Sequence, residues 1–129
     1  MPARARPLSP HLTIYRWQIG NSLSILHRVS GVLLALGLLA LAYWWTALAA
    51  GPEAYQVAAR VLAGPLGLLV LGGFSLAFWY HLLNGVRHLF WDAGRGFEKT
   101  GRRAGGVVVV IGAVVLTLAL WLIVWRHLS

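Results

Sequence analysis

The sequence predicts an all-α integral membrane protein with three transmembrane helices. The prediction rests on the amino-acid composition and on the length of the apolar segments. Of its 129 residues, 59% are hydrophobic and only 11% are charged, whereas a soluble domain carries about 25% charged residues. The apolar residues form three continuous runs, each reaching the roughly 20 residues that cross about 30 Å of hydrocarbon. Such runs are too long for barrel strands, and helices satisfy their own backbone polar groups inside lipid.

The three runs extend over residues 24–50, 61–91 and 105–125, with boundaries that the sequence defines only approximately. We therefore expect a transmembrane anchor over residues 24–129, preceded by a surface segment over residues 1–23. The surface segment is basic and has no apolar core before residue 23, so we expect no secretory signal peptide. Its Ser9-Pro10 pair favours extended backbone lying at the membrane surface.

The distribution of basic residues predicts a cytoplasmic N-terminus and a C-terminus outside. Arginines precede the first run, whereas the segment between the first and second runs has only Arg60, with Glu53 near it. The positive-inside rule assigns the arginine-rich sides to the cytoplasm. The segment that leads from the second run into the third carries five basic residues: Arg87, Arg95, Lys99, Arg102 and Arg103.

The composition also excludes several kinds of chemistry. The chain has no cysteine and only three acidic residues, which excludes disulfides, a cysteine-held iron–sulfur cluster and a carboxylate-rich metal site. We attribute the net charge of +8 to basic residues that orient the chain in the membrane and contact anionic headgroups. We therefore expect no nucleic-acid partner.

Polar residues cluster where the first apolar run begins. In SLSILHRVSG, the side chains of Ser24, His27, Arg28 and Gly31 follow at i, i+3, i+4 and i+7 and share one helix face. Hydroxyl and guanidinium groups at this depth are suited to hydrogen-bonding the carbonyl of a quinone, and His27 with Arg28 are suited to pairing haem propionates. The alternative interpretation is that Arg28 extends to lipid phosphate.

A second cluster closes the second run. His81, Gly85 and His88 follow at i, i+4 and i+7, and Gly85 leaves room for a flat or bulky group. His81 lies seven residues deeper than His88, about 10 Å, and we expect His27 to be shallow as well. Ionisable groups inside spans usually mark function, and imidazole is a common ligand of haem iron. The sequence thus predicts a haem site at His81, with its second ligand from another chain.

Two stretches resemble the cytochrome b subunit of succinate dehydrogenase, respiratory complex II. They are RPLSPHLTIYRWQIGNSLSILHRVSG, residues 6–31, and YHLLNGVRHLFWDAG, residues 80–94. The resemblance implies a membrane anchor in the inner, cytoplasmic membrane of a bacterium. It implies a second small three-span anchor subunit, an iron–sulfur subunit and a flavoprotein subunit as partners, with electrons passing from succinate to quinone.

The resemblance also implies roles for individual residues. His81 matches the axial ligand of haem b, which is shared with the second anchor subunit. Ser24 and Arg28 match the quinone-site residues, and His27 with Arg28 match the residues near the propionates. His88 matches the second histidine of the haem motif and has a secondary role as a propionate or structural contact. The segment 1–23 is then expected to lie against the soluble subunits.

Three alternatives remain open at this point. The chain is an anchor of a quinol:fumarate reductase that runs the reaction in the other direction, or a haem-free membrane scaffold in which His81 only bridges helices. The third alternative is a self-contained cytochrome in which His27 and His88 bind haem without a partner. Spectra of the chain alone and of the assembled complex distinguish the scaffold and the self-contained cytochrome, whereas the direction of the reaction depends on the quinone potential and the soluble subunits.

Overall fold

The computed structural model of the protein describes residues 16–128, so residues 1–15 of the surface segment lie outside the described residues. This part of the chain folds into four helices: α1 (Ile19–Ala50), α2 (Pro52–Ala63), α3 (Pro65–Asp92) and α4 (Lys99–Leu128). Three stretches are long and apolar enough to cross a membrane: α1, α3 and residues Thr100–His127 of α4. The prediction of an all-α protein with three candidate spans is therefore confirmed.

The segment between the first two spans is a helix, α2, and the second span starts later than its apolar run does. α1 ends at Ala50, and the next residue, Gly51, has a φ of 114°, which glycine adopts readily and other residues do not. Gly64 is extended, with φ −67° and ψ 163°, as expected of a residue before proline. Pro65 then begins α3, because proline lacks the N–H that a continuing helix would need. Residues 61–63, which continue the apolar run, therefore belong to α2.

α3 packs against both other spans, and it places His81 next to α1 and Arg87 next to α4. The buried cluster between the spans consists of Leu23 from α1, Tyr80 from α3, and Val109 and Ala113 from α4. Gly106 of α4 lies so close to Leu23 that a β-carbon there would meet the leucine methyl. Small residues that allow close helix approach are typical of helix contacts in lipid.

Most large apolar side chains of the described residues point away from the three helices. Leu39, Leu69 and Trp125, for example, are exposed by 67%, 73% and 75%. In a membrane these surfaces face lipid or neighbouring subunits, and neither imposes the cost of exposure to water. The core is small as a result, and its buried cluster lies where α1, α3 and α4 meet.

Candidate functional site

Three histidines gather where α1 passes α3. The ring of His27 from α1 stacks on the ring of His81 from α3, with centroids 3.9 Å apart and planes 12° apart. His88, two turns further along α3, meets the His27 ring edge-on at 5.2 Å. The His27 ring therefore contacts both the deeper and the shallower histidine of α3, and it lies closer to His81 than the residue count alone predicts. Counting backbone rise along each helix ignores how α1 is staggered against α3 and how far each ring reaches along its own helix.

The Nδ1 edge of His81 is held by two atoms of α1. It lies 3.0 Å from the hydroxyl oxygen of Ser30 and 3.1 Å from the backbone carbonyl oxygen of His27. A carbonyl oxygen can only accept, so the second contact is favourable when Nδ1 of His81 carries the proton. The lone pair is then on Nε2, which is the arrangement of a histidine that binds a metal through Nε2.

The Cε1 atom of His81, which is bonded to Nδ1, lies against Gly31. A β-carbon at position 31 would be 3.1 Å from Cε1 of His81 and 3.7 Å from its Nδ1. The absent side chain therefore leaves the space that the imidazole occupies. Gly31 was placed on the polar face by its spacing, and the structure shows that it accommodates the His81 ring.

The three histidines do not converge on a common point. Within residues 16–128, no three His, Asp or Glu side chains gather to hold a bare metal ion. The rings of His27 and His88 are in edge contact, and this leaves no space for a macrocycle between them. The geometry therefore disfavours the self-contained cytochrome with His27 and His88 as its ligands. His88 also stacks on Trp91, with centroids 5.1 Å apart.

Ser24 and Arg28 lie one helical turn apart beside His27. Ser24 is half-buried and Arg28 is exposed. Within the described part of the chain, Arg28 makes no hydrogen bond and no ion pair. Its guanidinium therefore keeps all its donors for a group outside residues 16–128.

Arg87 is directed to α4 and is bound there by protein groups. Its Nη2 donates to the carbonyl oxygen of Arg102 at 3.1 Å, and its Nη1 donates to Oδ1 of Asn84 at 3.1 Å. Its Cζ lies 4.1 Å from the ring centroid of Trp91, a cation–π contact. Arg87 thus connects α3 to α4, and the fully buried Asn84 depends on it.

Two residues at the site were not selected by the sequence analysis. The hydroxyl of Tyr80 donates to the carbonyl oxygen of Leu23 at 2.7 Å in the buried core. Ser30, which is 4% exposed, contacts His81 across the helix interface. The available signal was proximity, since Tyr80 precedes His81 and Ser30 follows His27 by three residues.

Comparison with known proteins assigns the chain to a family. The family model described as succinate dehydrogenase/fumarate reductase transmembrane subunit matches residues 2–120. A succinate dehydrogenase cytochrome b556 subunit of Rickettsia typhi is 44% identical over 90% of both chains. The cytochrome b556 subunit of Paracoccus denitrificans is 41% identical, covering 86% of this chain and 85% of its own.

A human relative extends the likeness to mitochondria. The mitochondrial succinate dehydrogenase cytochrome b560 subunit of Homo sapiens is 36% identical over 89% of this chain and 69% of its own length. The matched region includes the histidines of α1 and α3, the first two candidate spans and the third span as far as residue 120. The chain therefore belongs to the family of succinate dehydrogenase and fumarate reductase transmembrane subunits.

Proposed function

We propose that this chain is the membrane anchor of a succinate:quinone oxidoreductase in which His81 provides one axial ligand of haem b. The observation that carries the proposal is the contact of His81 Nδ1 with the carbonyl oxygen of His27 at 3.1 Å. It supports a histidine whose Nε2 keeps its lone pair for iron. A histidine that only bridged two helices would not need one nitrogen left unoccupied.

The second axial ligand comes from a second three-span anchor subunit. His27 is stacked directly on His81 and touches His88, so neither ring faces His81 across the width of a macrocycle. Haem b, when bound, supplies a one-electron carrier whose potential depends on its axial ligands and on its burial. His27 and His88, which contact each other, would hold the propionates together with Arg28, the next residue after His27.

The quinone site is formed by Ser24 and Arg28 of α1. The Arg28 guanidinium is exposed and has no partner among residues 16–128, so it can donate to a quinone carbonyl oxygen. A fixed positive charge there stabilises the negative charge that develops as the quinone is reduced. The Ser24 hydroxyl, one turn away, supplies a second donor, and the chain itself performs no covalent step.

The orientation and partners follow from charge and from the relatives. The loop between α3 and α4 and the first turn of α4 contain Arg95, Arg102 and Arg103, and we place this end in the cytoplasm of a bacterium, with the C-terminus outside. The iron–sulfur and flavoprotein subunits bind at this face, and residues 1–23 contact them. The relatives named above are succinate dehydrogenase subunits, which favours succinate oxidation over fumarate reduction.

Reduced-minus-oxidised spectra of membranes containing the assembled complex test this function. We expect a b-type signal in the wild type that is lost or becomes high-spin in His81→Ala. The matched control is His127→Ala, since His127 lies near the end of α4 and bonds only within that helix. No b-type signal in the wild type would leave the haem-free scaffold, and a signal unaffected by His81→Ala would move the ligand to another histidine.

A further inference from the structure

Ser30 differs from the other hydroxyl residues of the spans that bond their own helix, because its oxygen also contacts a histidine ring on another helix. Thr46, Ser75 and Thr117 each donate to a carbonyl oxygen three or four residues earlier, at 2.8, 2.8 and 2.7 Å. This is the usual way in which a helix satisfies a hydroxyl group. Ser30 does the same to His27 at 2.9 Å, but its oxygen also lies 3.0 Å from Nδ1 of His81 on α3.

The contact joins the Ser30 hydroxyl oxygen, Nδ1 of His81 and the carbonyl oxygen of His27. One placement of the protons turns every pair among them into a hydrogen bond. With the proton on Nδ1 of His81, the N–H is shared between the oxygen of Ser30 and the carbonyl of His27. The Ser30 hydroxyl then donates to the same carbonyl, and every contact is attractive. With the proton on Nε2, the Nδ1 lone pair would face the carbonyl oxygen at 3.1 Å, and the one Ser30 proton could serve only one of them.

We propose that Ser30 is a positioning residue, which together with the carbonyl of His27 holds the His81 imidazole as its Nδ1–H tautomer and leaves Nε2 free to bind haem iron. An acceptor on the far nitrogen raises the donor strength of an iron-bound imidazole. Stronger donation favours the ferric state, so Ser30 lowers the reduction potential of the haem. Because this role requires His81 to bind haem iron, it rests on the proposed function.

The surroundings of Ser30 permit a test in which only the hydroxyl changes. Ser30 lies on the wall of an apolar cavity of about 280 Å³ between α1, α3 and α4, together with Val29, Leu33 and Ala77. A methyl group added at position 30 can extend into that cavity. Thr and Val have the same shape, and Thr46 and Thr117 show that threonine bonds within these helices. Ser30→Thr and Ser30→Val therefore differ only in the hydroxyl group.

The experiment compares both variants in the assembled complex with its partner subunits. The measurements are the haem reduction potential by redox titration, the low-spin signal by electron paramagnetic resonance, and the rate of haem release. We expect Ser30→Thr to match the wild type. In Ser30→Val we expect a higher potential, a shifted low-spin signal and haem release faster by about tenfold, the lower end of the usual effect of losing an outer-shell partner. If the Ser30→Val variant does not assemble, Ser30→Ala is measured in its place, because alanine adds no volume.

Ser75→Ala is the matched control, since Ser75 also bonds its own helix and accepts from Trp121 on another helix at 3.3 Å. If Ser75→Ala changed the potential, the low-spin signal and the haem release as much as the Ser30 variants do, the effect of Ser30 would be one of general packing. That result would overturn the proposal. A wild-type haem signal that is unchanged in Ser30→Val would overturn this role alone. Absence of any b-type haem from the wild type would overturn both this role and the proposed function.

Discussion

The hydroxyl of Tyr80 donates a 2.7 Å hydrogen bond to the carbonyl oxygen of Leu23 in the core between α3 and α1. His81 follows Tyr80 and Ser24 follows Leu23. The bond therefore joins the two helices next to the candidate haem ligand and next to a candidate quinone-site residue. It fixes the stagger of α1 on α3 that brings the His27 and His81 rings together. A buried interhelical bond at this point therefore contributes to the site as well as to the fold.

Replacing Tyr80 by Phe removes that bond and keeps the ring. Interhelical hydrogen bonds in membrane proteins contribute about 0.6 kcal/mol on average and up to about 1.7 kcal/mol, so we expect a stability loss of about 1 kcal/mol. The measurement is the temperature at which the purified complex loses its b-type absorbance. Tyr43→Phe is the control, because Tyr43 lies exposed on α1. An equal midpoint for both variants would mean that the Tyr80 bond is energetically neutral.

Adding a methyl group at position 31 should disturb the His81 ring directly. The β-carbon of Gly31→Ala would lie 3.1 Å from Cε1 of His81, so the ring must move by a few tenths of an ångström. We expect a changed low-spin signal by electron paramagnetic resonance and a lower haem content per chain. In Gly73→Ala no atom lies within 4 Å of the new carbon, so this variant should match the wild type. A normal haem signal in Gly31→Ala would show that the ring is not confined there.

Arg87→Ala should weaken the contact of α3 with α4 and leave the haem properties unchanged. The substitution removes the donor to the carbonyl of Arg102 and leaves the fully buried Asn84 without its partner. An unsatisfied buried polar group costs about 1–3 kcal/mol. We expect less assembled complex and a lower thermal midpoint, with a wild-type potential in the complex that does assemble. Arg95→Ala, in the exposed loop, is the control.

A different result for Arg87 would be equally informative. Normal assembly of Arg87→Ala with a shifted haem potential would assign this arginine to a propionate. That outcome would contradict the contacts with Asn84 and Arg102 as its main role.

Arg28→Ala should impair reduction of quinone and spare the oxidation of succinate. A hydrogen bond to a charged group contributes about 1.5–3 kcal/mol, so the loss of kcat/KM for a soluble quinone should be about tenfold or more. Succinate oxidation with an artificial acceptor that bypasses the membrane should stay at the wild-type rate. Arg28→Lys keeps the charge but loses the planar fork, and we expect an intermediate defect. Arg126→Ala, at the other end of the bundle, is the control, and unchanged kinetics in Arg28→Ala would remove Arg28 from the quinone site.

Long apolar runs made the three spans predictable, because the cost of exposing backbone in lipid allows few other structures. The start of the second span was less predictable. Gly64 and Pro65 lie inside a run whose hydropathy continues from α2 into α3. The dihedral limits of proline, rather than hydropathy, determined that α3 begins at Pro65.

The sequence by itself determined which residues share a helix face, since the 3.6-residue period places Ser24, His27 and Arg28 together and aligns His81 with His88. Only the tertiary structure decided which residues meet across the helices. It placed His27 against His81, Ser30 on the Nδ1 edge and Arg87 against α4. Such contacts depend on the stagger and rotation of one helix relative to another. Packing of the whole helix surfaces sets those quantities, and residue spacing within one helix does not contain them.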